Sequence, residues 1–467
     1  MHRRSILTRF SVILLLPMLL LPSLGVRAAS AVHERQLANG LKILVKPDQR
    51  APILTSQVWY RIGSSYEYGG LTGVSHLLEH MMFQGTERLA PGEFSRIIAA
   101  NGGEENAFTG RDYTAYYQNL ASDRLEIAFE LEAERMRHLK LNESEFLKEL
   151  EVVKEERRMR TDDDPQALTY ERFSATAYDA SPYRNPVIGW PSDLEQLSLA
   201  DVRDWYRQWY APNNAILVVA GDVDPERVFA LAEQYFGPLA AETIRPPKTQ
   251  AEPEQLGEKR LRVQAPAKEP YLLMGYKTPV LTHAAESWEP YALELLASIL
   301  DGGDSARLAR ELVRGQQLAS SVGAGYDAFS RLPGLFLFEG VPASGQTIET
   351  LERALREQVA RVQAEPVTAA ELERVRNQVI AAKVFERDAL FYQAMQIGLL
   401  ETIGLDWQLA DSYVDRLAAI TPEQIQAVAQ RYLTPERLTV AMLDPQPLDA
   451  TTQAAAPPHA GGQYHVQ

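Results

Sequence analysis

The run LTGVSHLLEHMMF at 71–83 contains residue types whose spacing could hold a metal ion. His76 and His80 are four residues apart, so on a helix their imidazoles project from one face. At this spacing two ring nitrogens can reach a single zinc ion at about 2.0–2.1 Å. Glu79 shares that face, where its carboxylate can touch a metal-bound water without filling a ligand position. The pattern predicts a zinc centre with an adjacent general base.

The same run is also compatible with a helix that carries two partly buried histidines and an exposed glutamate. The chain has 8 histidines in 467 residues, so H-x-x-E-H should arise by chance in roughly one of a hundred such chains. Leu77, Leu78 and Met81 fall on the opposite side of the helix, where they can anchor it in a core. Gly73 and Ser75 suit the start of that helix. These features favour the metal interpretation.

A catalytic zinc ion usually takes three protein ligands and a water, so a third ligand is needed. The helical stretch 145–160 is dense in glutamate and offers Glu149, Glu151, Glu155 and Glu156. Glu149 and Glu156 are seven residues apart, two turns along one face. Taken alone, the stretch is typical of a charged, solvated helix face, and spacing does not choose among the four.

The elements around this motif divide into two halves. The stretch 241–259 contains three prolines and mixed charges without apolar periodicity, which is typical of a linker. We predict a signal peptide at 1–31, an N-terminal zinc-binding domain at 32–240, the linker at 241–259, a homologous C-terminal domain at 260–445 and a mobile tail at 446–467.

The ends of the two halves carry the same pattern, which indicates a duplication. Ser198 and Thr421 are N-cap residue types that begin a helical stretch in each half. Pro212 and Pro435 then mark the exit of the helix, and a buried strand pattern follows each proline. Strands and helices do not alternate strictly, so we predict two α+β domains, each with a mixed or antiparallel sheet packed with helices.

Composition excludes several classes of function. Hydrophobic residues make up 45% and charged residues 23%, which are ordinary globular proportions. The absence of cysteine excludes disulfides, cysteine-ligated metal sites and a thiol nucleophile. Lys and Arg number 47 against 62 Asp and Glu, for a net charge of −15, so we expect no nucleic-acid partner.

The first 31 residues resemble an export signal. Three arginines precede an apolar run at 10–24 that two prolines interrupt, and small residues at 29–31 fit a cleavage site. The run of about 15 residues is too short for a stable span of about 20. We predict a periplasmic or secreted protein with no membrane span after processing; the alternative is an uncleaved anchor.

Nearly all of the remaining chain resembles the pitrilysin/insulinase family of zinc metallopeptidases, which carry the inverted H-x-x-E-H motif. It is most similar to the two-domain branch that includes the mitochondrial processing peptidase and bacterial homologues. The matching runs are LANGL at 37–41, GSSYE at 63–67, FQGT at 83–86, NAFT at 106–109, PY at 182–183 and VIG at 187–189.

The resemblance implies one zinc ion per chain, held by His76, His80 and Glu156. It implies that Glu79 takes a proton from the activated water and passes it to the leaving amine. Glu149 would orient the zinc ligands through hydrogen bonds.

The resemblance also implies that peptides or unfolded polypeptides bind in a chamber between the halves. There a substrate would add as a strand to a sheet edge that includes Asn106, Ala107 and Phe108. Without the family, these residues would be read as a simple strand start. The implied function is an exported zinc endopeptidase; the alternative is a catalytically silent structural or peptide-binding subunit of the same family.

The chain departs from the family in its C-terminal half. Self-sufficient members carry an Arg and a Tyr, seven residues apart, that stabilise the substrate carbonyl. Here Val313 and Ser320 occupy those positions, and a one-residue slip would restore Arg314 but no tyrosine. We therefore expect a homologous partner subunit that supplies the Arg/Tyr pair, or otherwise a homodimer that manages without it.

Overall fold

The structure, a computed structural model, describes residues 32–248 and 250–448. The predicted signal peptide and residues 449–467 of the predicted tail lie outside this range. No helix among the described residues is both long and apolar enough to cross a bilayer.

The N-terminal half is built on a six-stranded sheet in the order β1-β2-β6-β3-β5-β4. Its strands are β1 His33–Gln36, β2 Lys42–Pro47, β3 Ile53–Tyr60, β4 Glu104–Thr109, β5 Thr114–Ala121 and β6 Ala215–Gly221. Its helices are α1 Val74–Met81, α2 Glu93–Ala100, α3 Leu125–Arg137, α4 Glu143–Arg157, α5 Pro165–Ala177, α6 Pro191–Leu194, α7 Leu199–Trp209 and α8 Pro225–Phe236. A π-helical turn, Arg158–Asp162, continues α4.

The C-terminal half is built on a five-stranded sheet in the order β7-β11-β8-β10-β9. Its strands are β7 Lys259–Pro266, β8 Tyr271–Thr278, β9 Ala319–Tyr326, β10 Gly334–Pro342 and β11 Leu438–Gln446. Its helices are α9 Glu289–Asp301, α10 Ile348–Ala364, α11 Ala369–Glu386, α12 Leu390–Thr402, α13 Leu409–Ala418 and α14 Pro422–Tyr432. A second π-helical segment spans Ala309–Gly315.

Both sheets are mixed, with one parallel pair each, β2 with β6 and β7 with β11. Leaving β1 aside, the two strand orders correspond, which supports the predicted duplication. The repeated helix start is also present: Ser198 and Asp201 form a capping box before α7, and Thr421 and Gln424 form one before α14. The predicted pair of α+β domains with mixed sheets is confirmed.

Each half contributes one helix that packs on the sheet of the other half. Helix α5 packs on the C-terminal sheet, where Phe173 lies so close to Gly275 that a Cβ there would meet its ring at 2.5 Å. Helix α12 packs on the N-terminal sheet, where a Cβ on Gly398 would lie 2.2 Å from Nε1 of Trp59. This reciprocal packing buries two apolar clusters and fixes the face of the N-terminal sheet opposite α1.

The stretch from Gly237 to Glu258 contains no helix or strand, Thr249 being outside the described residues. It is nevertheless anchored. Glu252 accepts backbone N–H groups of residues 179, 180 and 181 at 2.7–2.9 Å and the ammonium of Lys277 at 2.6 Å. The segment predicted as a linker is thus held against both halves.

Candidate metal centre

Helix α1 begins at a tight entry that requires glycine. Gly73 has a φ of +88°, and a Cβ there would lie 2.6 Å from the carbonyl oxygen of Ile188. The carboxylate of Glu67 accepts the backbone N–H groups of Gly73 and Ser75, both at 2.8 Å. Gly73 and Ser75 lie at the helix start, as the sequence indicated, and the carboxylate of Glu67 satisfies their backbone N–H groups.

The two sides of α1 have different roles, as predicted. Leu77, Leu78 and Met81 are fully buried in the core of the N-terminal half. His76 and His80 point to the other side, with their ring centroids 4.9 Å apart. The apolar side therefore fixes the helix and sets the position of both imidazoles.

The two histidines converge with Glu156 from α4. Oε2 of Glu156 lies 3.7 Å from Nε2 of His76 and 3.4 Å from Nε2 of His80, and one ligand atom from each residue lies within 4.8 Å of the others. Two ligand atoms at about 2.1 Å from a tetrahedral zinc ion lie about 3.4 Å apart. The donor types and separations therefore fit a zinc ion.

The tertiary structure separates the four candidate glutamates of α4. Glu149 lies 3.1 Å from Nδ1 of His80 and accepts the side-chain amide of Gln84 at 2.8 Å. Glu151 and Glu155 instead pair with a lysine and an arginine three residues further along the helix. Only Glu149 and Glu156 of this group face the histidines, in the positions that the family resemblance implied.

Burial and neighbouring charges set the protonation of this cluster. Burial, together with the charge of His80, lowers the pKa of His76 to about 4. Burial also disfavours charge on His80, but hydrogen bonds to Glu149 and Glu156 outweigh it and raise its pKa to about 9. The hydrogen bond from His80 holds the pKa of Glu156 below its ordinary value. Because a metal ion binds the neutral imidazole, metal binding competes with the proton on His80.

Glu79 lies beside the donor set without joining it. Burial raises its pKa, and the hydroxyl of Thr109 donates a hydrogen bond to its Oε2 at 2.5 Å. The carboxylate thus has a fixed orientation and an increased proton affinity, which are the properties a general base needs.

Asn106, Ala107 and Phe108 lie on β4, at the edge of the N-terminal sheet and immediately before Thr109. Among the described residues no strand pairs with the outer side of β4. Its free edge therefore lies next to the residue that holds Glu79, and it can accept an extended chain.

Sequence reasoning assigned no role to several residues of this centre. Thr109 and Gln84 lie in runs that match the family, and Arg160 pairs with Oε1 of Glu156 at 2.6 Å. Gln84 and Arg160 are each four residues after a predicted site residue, His80 and Glu156 respectively, a spacing that could have indicated them. No local spacing connects Thr109 to Glu79.

The C-terminal positions that depart from the family lie in and after the π-helical segment Ala309–Gly315. Val313 is part of that segment, and the exposed Arg314 donates to the backbone carbonyl of Asp304. Ser320 lies on β9, the edge strand of the second sheet, and donates to the carbonyl of Val341.

Comparison with known proteins agrees with this geometry. The family profile described as Insulinase (Peptidase family M16) matches residues 42–190, and that described as Peptidase M16 inactive domain matches residues 196–379. The chain is 33% identical over 344 residues to the zinc protease PqqE of Helicobacter pylori, covering 73% of this chain and 76% of the relative.

Two further relatives extend over more of the chain. Identity to the uncharacterized zinc protease YmxG of Bacillus subtilis is 24% over 407 residues, covering 87% of this chain and 97% of the relative. A crystal structure of a protease from Helicobacter pylori matches with a TM-score of 0.85 at 30% identity, covering 89% of this chain and all of the other. The chain therefore belongs to the pitrilysin/insulinase family, peptidase family M16.

Proposed function

We propose that this chain is an exported zinc-dependent endopeptidase. The observation that carries the proposal is the convergence of His76, His80 and Glu156, at separations that suit zinc, beside a partly buried Glu79. One zinc ion per chain, when bound, would supply Lewis acidity and lower the pKa of a coordinated water. The names of the relatives as zinc proteases support this metal.

The residues of the chain then have distinct tasks. Glu79 accepts the proton of the attacking water and delivers it to the leaving amine, while Thr109 holds its carboxylate in place. Glu149 accepts from Nδ1–H of His80, which leaves Nε2 free as a donor toward the metal, and Gln84 fixes Glu149 in turn.

The substrate is a peptide or an unfolded polypeptide in extended conformation. Its backbone would pair with the free edge of β4 at Asn106, Ala107 and Phe108, since folded proteins rarely offer an unpaired strand. Pairing through the backbone recognises strand conformation more than sequence.

The test is hydrolysis of a mixed quenched-fluorescent peptide library by the purified chain, with zinc measured on the same sample. We expect turnover that a chelator abolishes and that Glu79→Gln abolishes while zinc is retained. Turnover that survives Glu79→Gln would contradict the assigned role of Glu79.

A second candidate is a catalytically silent peptide-binding subunit, which the inactive-domain profile over residues 196–379 favours. If the chain alone binds zinc but shows no turnover, it is either a peptidase that lacks its partner subunit or a silent subunit. We propose that a homologous subunit with the Arg/Tyr pair, absent here at Val313 and Ser320, then restores hydrolysis. No hydrolysis with that subunit present would support the silent role.

We also propose that residues 1–31 direct export to the periplasm and are removed. Mass spectrometry of the protein recovered from cell fractions tests this directly. The expected product begins between residues 29 and 32 and is found outside the cytoplasm. A full-length chain in the cytoplasmic fraction would contradict export.

A further inference from the structure

The side chains of β4 point alternately to two different environments. Thr109 reaches Glu79, and Ala107 packs against the core on the α1 side of the sheet. Phe108 points to the opposite face, where its ring lies 5.4 Å from Trp59 and 6.4 Å from Tyr117, measured between centroids. A chain that pairs with β4 would alternate in the same way, because side chains along a strand have a period of two.

The C-terminal half supplies apolar side chains on the same face as Phe108. At the start of α12 the ring of Phe391 lies 4.7 Å from that of Tyr117, and the carbonyl of Phe391 accepts the side-chain amide of Gln57 at 3.1 Å. Tyr392 lies 5.6 Å from Phe391 and is 54% exposed. Met395, one turn after Phe391, is partly buried and packs against the apolar cluster that Phe108 also contacts.

We name the aromatic ledge the group formed by Phe108, Tyr117, Phe391, Tyr392 and Met395. None of its members is fully buried, and none carries a charge at neutral pH. A partly exposed apolar group drawn from both halves marks a surface that a ligand covers. Phe108 lies on the edge strand β4 itself and contacts Tyr117, which in turn contacts Phe391. An extended peptide paired with β4 would therefore place every second side chain on the face that carries the ledge.

We propose that the aromatic ledge is a specificity subsite for one large apolar side chain of the bound peptide. In the paired peptide, this side chain is one of the alternate side chains that point away from the metal centre. The inference rests on the proposed function, because it requires an extended peptide at β4. It extends that function by assigning part of substrate selection to α12, in the half without the zinc-binding motif.

The test uses a peptide series with a single Phe, Leu or Ser moved along an otherwise constant Gly/Ala/Lys sequence. Cleavage is followed with the zinc-loaded chain, and binding is followed by fluorescence anisotropy with Glu79→Gln. Tyr392→Ala is the test variant and Tyr392→Phe the conservative one. Leu256→Ala is the control, since Leu256 is 91% exposed and lies outside the ledge.

We expect wild-type protein to prefer Phe over Ser at alternate peptide positions. Tyr392→Ala should reduce that preference about tenfold, Tyr392→Phe should restore it, and Leu256→Ala should leave it unchanged. If peptides are bound or cleaved but Tyr392→Ala keeps the preference, the ledge proposal is wrong and the proposed function stands. If no peptide is bound or cleaved even with a homologous subunit that carries the Arg/Tyr pair, both are wrong.

Discussion

The hydroxyl of Thr109 donates a 2.5 Å hydrogen bond to Oε2 of Glu79. Thr109 ends β4, whose outer edge pairs with no strand in the described part of the chain, and Glu79 lies on α1 between the two histidines. The strand proposed to bind the substrate backbone therefore also orients the proposed general base. The Thr109 hydroxyl thus links the position of the edge strand β4 to the orientation of the Glu79 carboxylate.

Thr109→Val removes this hydrogen bond at nearly constant shape. We expect kcat to fall about tenfold, because one hydrogen bond to a charged group is lost, with little change in KM or zinc content. Burial raises the pKa of Glu79 and the Thr109 hydrogen bond lowers it, so its loss raises the pKa further. Since Glu79 must be ionised to accept a proton, the acid limb of the pH–rate profile should move to higher pH.

Thr109→Ser is the matched control, because it keeps the hydroxyl. Its pH–rate profile should coincide with that of the wild-type protein. A profile that moves equally in the Ser and Val variants would contradict the assigned role of the hydrogen bond, because the Ser variant keeps the hydroxyl.

The glutamates of α4 should differ sharply in their effect on zinc. We expect Glu156→Gln to lose bound zinc and Glu149→Gln to weaken zinc affinity about 10–100-fold through the misoriented His80. Glu151→Gln, on the same helix but paired with Lys154, should bind zinc normally. Competition with a chromogenic chelator measures all three, and equal affinity in the Glu149 and Glu151 variants would refute the supporting role of Glu149.

A hydrogen-bonded contact between the halves should stabilise the hairpin of β4 and β5. The backbone N–H of Arg331 donates to Asp112 at 3.0 Å, and its guanidinium donates to Asp112 at 3.3 Å and to Ser65 at 2.7 Å. Arg331→Ala leaves the buried Asp112 without its cation, so we expect unfolding to become easier by about 2 kcal/mol.

Urea denaturation measures this change. Arg262→Ala serves as its control, because Arg262 forms a solvent-exposed pair with Glu349. We expect its effect to stay within about 0.5 kcal/mol. Similar losses in the two variants would mean that the Arg331 contact adds nothing beyond an ordinary surface pair.

Stability should depend on pH through Glu252. Burial opposes its charge, but hydrogen bonds from Lys277 and three backbone amides outweigh burial and lower its pKa from 4.5 to about 2. The unfolded chain therefore takes up this proton near pH 4.5, whereas the folded chain does so only near pH 2. The stability that Glu252 contributes is present above pH 4.5 and is lost as the pH falls toward 2.

Glu252→Gln should lower the free energy of unfolding at pH 7 by about 1–2 kcal/mol, since solvent screens part of the pair. The difference from wild type should shrink as the pH decreases below 4.5. Glu254→Gln, two residues further on at an exposed position, is the matched control and should leave the free energy of unfolding at pH 7 within about 0.5 kcal/mol of wild type. Urea denaturation between pH 3 and pH 8 compares the three proteins.

The packing of α12 on the N-terminal sheet depends on Gly398. An alanine Cβ there would lie 2.2 Å from Nε1 of Trp59, so the indole would have to move. Alanine ordinarily stabilises a helix interior by up to about 1 kcal/mol relative to glycine. We nevertheless expect Gly398→Ala to destabilise the protein by about 1–3 kcal/mol because of overpacking.

Thermal or urea unfolding tests this prediction against Gly257→Ala, where no atom lies within 4 Å of the added Cβ. The Gly257 variant should unfold like the wild-type protein. An unchanged or increased stability of Gly398→Ala would mean that the indole of Trp59 can move aside without lowering the free energy of unfolding.

The sequence by itself determined the features that depend on helical periodicity. The i, i+4 spacing placed His76 and His80 on one face of α1. The leucines between them indicated which side of that helix is buried. The N-cap residues Ser198 and Thr421 marked the same helix start in both halves. These predictions succeed because neighbours on one helix are fixed by its 3.6-residue turn, whatever the rest of the chain does.

Only the tertiary structure decided which distant residues meet. Local spacing left four glutamates of α4 open, and the family resemblance singled out Glu156 before the packing of α1 on α4 brought it to the histidines. The contact of Thr109 with Glu79 spans 30 residues, and that of Glu149 with His80 spans 69. Such contacts depend on sheet register and interlocked side chains, which no local pattern encodes. The aromatic ledge, which joins β4 to α12 of the other half, depends on the same long-range packing.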